Sequence, residues 1–181
     1  MKVTVNYRPG SDPSVFAEHH ALQLELTKLT CPTCPDVNWK WVEYNCLRLF
    51  AQNGAELYSA AALTLTRAQL YGLPGLNSGI VFINTQLNNH RSLLWPPAPV
   101  ARQEILHWLF IHLECLLKEL EFIPGDLHLL KIVRIHLIQL TDLLGREGVL
   151  PVRGLNSIRK QLENLMSRLK HWALADEPWA Q

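Results

Sequence analysis

The 181-residue chain is 48% hydrophobic and 18% charged, enough apolar material for one compact domain, or a small domain with a helical extension, and too little charge for a disordered chain. Lys and Arg number 17 against 16 Asp and Glu, so there is no basic excess for nucleic acid and no acidic tail for a basic partner. Met1 to Tyr7 lacks the apolar run of a secretion signal, and the most apolar stretch, Ile105 to Leu117, is interrupted by His107, His112 and Glu114 and falls short of a membrane span, which with four Cys leads us to expect a cytoplasmic protein with reduced thiols.

In chain order, Val3, Val5 and Tyr7 alternate as in a short extended lead. Asp12-Pro13 then marks a helix start, with Val15, Phe16, Leu22, Leu26 and Leu29 at helical spacing. Cys31-Pro32-Thr33-Cys34-Pro35 breaks that helix, because proline removes donors and blocks continuation. A second helix is expected from Asn38 through Phe50, ended by Asn53-Gly54, and a third over about 56–71, ended by Gly72-Leu73-Pro74-Gly75. The fourth is expected over 76–89 and closes at Trp95-Pro96-Pro97.

The fifth helix is expected over 100–122. Its polar residues Gln103, His107, Glu114, Lys118 and Glu121 share one narrow face, the pattern of a central, covered helix. Pro124-Gly125-Asp126 starts a sixth that runs to about Leu144, and a seventh spans 155–171. No alternating segments separate these helices, so the expectation is an all-α bundle of about seven helices. The expected organisation is a helical domain over 1–99, a helical extension over 100–175, and a linker or the start of a C-terminal region at 176–181.

Catalytic and metal-binding patterns are sparse. Cys31 and Cys34 form a CxxC, but no second ligand pair stands at comparable spacing, and a thioredoxin-like use needs a preceding strand. His107 and His112 are five apart and His128 and His136 eight apart, neither of which is the i, i+4 spacing of a helical zinc motif. Glu114, Glu119 and Glu121 have no convergent partner for acid–base work. No catalytic, cofactor or metal residues are therefore assigned. A small enzyme built on Cys31, Cys34 and the histidines is the rival of another class.

Four ordered blocks between Arg8 and Pro97 carry a resemblance. The first is Pro9-Gly10-Ser11-Asp12-Pro13 with Phe16 and then Glu25 to Lys28. The second is Trp39 with Val42; the third is Glu56-Leu57, an Ala/Leu-rich helix, Gly72-Leu73-Pro74-Gly75-Leu76 and Gly79. The fourth is Trp95-Pro96, followed by Arg102 and Leu106-His107-Trp108-Leu109. Together they resemble the ImpA N-terminal region of TssA-type proteins of bacterial type VI secretion systems. Glu56-Leu57-Tyr58 departs from that pattern, which commonly has Asp-Leu followed by Arg or a small apolar residue.

The resemblance implies a non-enzymatic assembly component that docks baseplate, sheath or tube proteins while the contractile tail is built. A TagA/VasL-type accessory acting at the far end of the sheath shares the same region and is the closest alternative. Self-association is a further expectation. Physics gives structural work to the glycines and tryptophans: Gly72 suits a left-handed cap, Gly79 a close backbone approach, and Trp95 a buried anchor. For Asp12, Glu25 and Lys28, structural and functional roles both remain open. On the sixth helix, Leu127, Ile135 and Ile138 lie beside Lys131 and off the main apolar stripe. Either the seventh helix covers them or they form an interaction surface.

Overall fold

A computed structural model describes residues 7–33, 35–148 and 152–175. Among them are seven α-helices and no strand: α1 Ala17–Leu26, α2 Trp39–Gln52, α3 Leu57–Tyr71, α4 Leu73–His90, α5 Pro99–Glu119, α6 Leu127–Arg146 and α7 Arg153–Ala175. The all-α expectation holds. Val3, Val5, Cys34 and the 176–181 segment lie outside the described residues. No described helix is long and apolar enough to cross a membrane.

Local chemistry sets most helix ends. Asn38 accepts the Trp41 amide (3.0 Å) to start α2, and Glu56 accepts the Tyr58 and Ser59 amides (2.7 and 2.8 Å) to start α3. Asp12 behaves differently from the expectation. Its carboxylate takes the Ser14 amide (2.9 Å) and closes only a 3-10 turn, Pro13–Val15. Phe16 is then extended, packing against the core, and α1 begins at Ala17, which leaves Val15 83% exposed.

Gly72 ends α3 and starts α4 at once, with φ +66° and ψ −142°, a backbone conformation that suits glycine. It is thus a positive-φ cap but an extended one. Pro74 sits inside the first turn of α4, where a missing N–H costs nothing, so α4 starts three residues before the expected Leu76. α5 stops at Glu119, short of Phe122, because Leu120 turns extended. A 3-10 turn, Pro124–Asp126, precedes α6, with the Asp126 carboxylate accepting the Ile123 amide (2.9 Å).

Five helices pack in a closed circuit: α3 on α4, α4 on α6, α6 on α7, α7 on α5 and α5 back on α3. α2 covers a further side of α3, and α1 lies on α2. The central helix is therefore α3, not α5 as its apolar circumference suggested. α3 is buried from Leu57 to Ala68 except at Tyr58. Ala60, Ala61 and Ala62 allow close approach, and the buried Thr64 and Thr66 hydroxyls donate to the Ala60 and Ala62 carbonyls (2.8 and 2.7 Å). α5 instead buries Leu106, Leu109, Phe110, Leu113, Leu116 and Leu117 and leaves Ile111 exposed. One continuous apolar core runs from Leu22 on α1 to Leu169 on α7.

Candidate interaction site

The first, third and fourth sequence blocks meet at one corner. Gly10 donates to the Ala55 carbonyl (2.7 Å), and Ala55 donates to that of Arg8 (2.8 Å), pairing Pro9 with Ala55. A Cβ on Gly10 would stand 2.9 Å from the Gly54 backbone, which explains the glycine. The Asn53 carbonyl oxygen accepts from the Ser11 amide and hydroxyl (3.2 and 3.1 Å), and its amide nitrogen donates to the Ser11 carbonyl (2.9 Å). Next in the chain, Glu56 is fully buried, and Leu57 donates to the Trp95 carbonyl (3.0 Å).

Burial pushes the Glu56 carboxyl up to about 7, overriding the amides of Ser59 and Tyr58 that favour its ionised form. Arg102 fastens the other side of the corner. Its Nε donates to Pro96 O (2.7 Å), its Nη2 to Arg91 O and Leu94 O (2.7 and 2.6 Å), and its Nη1 to Glu147 Oε1 (2.7 Å). Both members of the Arg102–Glu147 pair have side chains only 5% exposed. Trp95, expected as a deeply buried anchor, is half-buried; Pro96 is buried beside it. The guanidinium holds this loop because four donors satisfy buried groups that an indole could not reach.

Glu25 and Lys28 also have structural work. Glu25 Oε1 accepts from Lys28 Nζ (2.8 Å) and from the Asn38 amide (2.6 Å), which ties the end of α1 to the start of α2 across the Cys31–Val37 loop. The Lys28 contact, then the Asn38 amide, holds the Glu25 carboxyl below its usual range. Trp39 packs half-buried on the core, while Val42, Leu57, Leu73 and Leu76 are within it. Gly75 and Gly79 permit the α3–α4 contact: a Cβ on Gly75 would overlap the Arg67 carbonyl, and one on Gly79 would stand 2.6 Å from the Thr64 side chain. The close neighbour of Gly79 is thus a side chain, rather than a backbone.

On α6 the expected surface divides. Lys131 and Ile135 are exposed, Ile135 by 54%, whereas Leu127 packs against the core and Ile138 is half-buried. α7 packs along α6, and part of the strip stays exposed. A groove with apolar and charged lining lies elsewhere. α7 outruns the end of α5, and the groove, of about 880 Å³, opens beside Leu117, Leu120, Phe122, Leu165 and Leu169, edged by the half-exposed Trp172.

The chemistry-bearing residues remain dispersed. His136 Nδ1 pairs with Asn77 Oδ1 (2.7 Å), and His112 packs edge-on against Trp108. Burial lowers the pKa of His19, His112 and His136. Among the described residues no three His, Cys, Asp or Glu side chains gather closely enough to hold a metal ion. The Cys31 thiol contacts the Thr33 hydroxyl (3.1 Å), and the CxxC as a pair lies partly outside the described residues.

Arg102 and Glu56 are the residues whose importance the linear pattern understated. The available signal was an arginine in the first turn of the helix that follows Trp95-Pro96-Pro97, and an acid immediately before an Ala/Leu-rich run. In comparisons with family models, curated proteins and solved structures, the chain matches none.

Proposed function

We propose that this chain is a non-enzymatic assembly component of a type VI secretion system, TssA-like, that docks baseplate, sheath or tube proteins during tail construction. The observation that carries the reading is the order of the resembling blocks, together with their convergence. Pro9-Gly10, Glu56-Leu57 and Trp95-Pro96, far apart in sequence, form one hydrogen-bonded corner. The residues of those blocks hold a scaffold, and apolar surface is left for partners at Ile135 and along the α5–α7 groove. On this reading the protein works by binding, with no turnover.

Deletion of the gene in its own host, with the sheath protein fluorescently tagged, tests the reading. An assembly component predicts that extended sheaths fail to form and that the intact gene restores them. Sheaths that form and then contract early would favour the distal accessory role. Sheaths indistinguishable from the parent would contradict both.

A further inference from the structure

Between α1 and α5, with α3 behind them, lies a groove of about 410 Å³ that the motif corner does not use. Leu26, Tyr58, Ile105 and Trp108 give it an apolar and aromatic lining, and Glu104 is its one charged residue. The aromatic groups form a row across three helices: His19 to Tyr58 with centroids 5.0 Å apart, Tyr58 to Trp108 at 6.5 Å and 26°, and Trp108 to His112 at 5.2 Å. The Glu104 carboxylate makes no ion pair or hydrogen bond among the described residues. A carboxylate without a cation therefore stands beside two large π-systems.

We infer that this groove receives a cationic side chain, arginine in preference to lysine, presented by a partner protein. Aromatic faces carry negative quadrupole potential and attract cations, most strongly where water is partly excluded. A guanidinium can stack on such a ring and direct its fork of N–H donors at a carboxylate; an ammonium offers a compact point charge with no plane to stack. An apolar occupant would strip water from Glu104 with nothing in return, and an anion would be repelled by it. The groove lies between α1, which packs on α2, and α5, which packs on α3. Burial pushes the Tyr58 phenol up to about 12, so it stays neutral beside the cation. This contact has the same chemistry whether or not the partner belongs to a secretion tail.

The test is a nitrogen-15 NMR titration of the whole chain with acetyl-glycyl-arginyl-glycinamide and its lysine and citrulline counterparts. Citrulline keeps the shape of arginine and removes its charge. The arginine peptide is expected to shift the Trp108 indole N–H and the Thr27, Thr30 and Glu104 amides saturably. The lysine peptide should bind more weakly and the citrulline peptide not at all. Glu104→Gln, at an exposed position, should keep the fold and weaken the arginine peptide by about tenfold or more, while Glu163→Gln on α7 leaves it unchanged. No saturable shift, equal binding of citrulline, or arginine binding that survives Glu104→Gln would overturn the proposal. Equal binding of lysine would overturn the preference for a guanidinium.

Discussion

Glu56 meets two opposed demands. The start of α3 favours a negative charge that accepts two amides, and full burial disfavours that charge. Burial wins, with a folded pKa of about 7 against an ordinary 4.5. The folded state therefore binds more protons than the unfolded state between those values, and stability assigned to this group falls as pH rises from 4.5 to 7. Glu56→Gln removes the titration. In urea melts across that window, the variant should gain on the parent by up to about 3 kcal/mol as pH rises; parallel curves would contradict the assignment. The buried His19 and the partly buried His112 and His136 pull the other way below their ordinary pKa of 6.5, so the comparison must be between variant and parent. Arg102→Met should cost about 3–5 kcal/mol, because it leaves Glu147 with only the longer Arg91 contact (3.4 Å) and takes the guanidinium donors from the Pro96, Arg91 and Leu94 carbonyls. Replacing both Arg102 and Glu147 with Met should restore part of that loss in the same melts.

At the scale of elements, helix existence was legible and helix position was not. Asn38, Glu56, Gly72 and the Pro-containing breaks act through local hydrogen bonds and backbone geometry, so a linear pattern contains them. Burial depends on which helices meet. α3 was hard to recognise as central because Ala, Ser and Thr carry little hydrophobic signal, yet their small size admits α2, α4 and α5. Trp95 misled for the opposite reason: a large apolar ring suggested an anchor where Arg102 does the holding.

The α3–α4 contact gives a direct check. Gly79→Ala gains about 1 kcal/mol of helix propensity, but its Cβ would press on Thr64, whose hydroxyl is committed to the Ala60 carbonyl. Overpacking of this kind costs about 1–3 kcal/mol. The single change should lower the thermal midpoint, and adding Thr64→Ala should recover it. On α6, Ile135→Asp should leave the midpoint nearly unchanged, whereas Leu137→Asp, two residues on and buried, should unfold the protein.

For the whole molecule, the circuit of α3, α4, α6, α7 and α5 closes around one core and leaves Ile135 and the grooves on the outside. The resembling blocks were visible in the sequence, but their meeting at one corner was not, because Gly10–Ala55 and Leu57–Trp95 are long-range pairings. Nor were the grooves visible, since each depends on where one helix outruns or flanks another. The central claim is that this scaffold docks tail proteins. Its most direct test is isothermal titration calorimetry of the purified chain against the purified baseplate, sheath and tube proteins of the same organism. The account predicts saturable binding to at least one of them, weakened by Trp172→Ala or Ile135→Asp at unchanged thermal stability. Absence of binding to every one of them would contradict it.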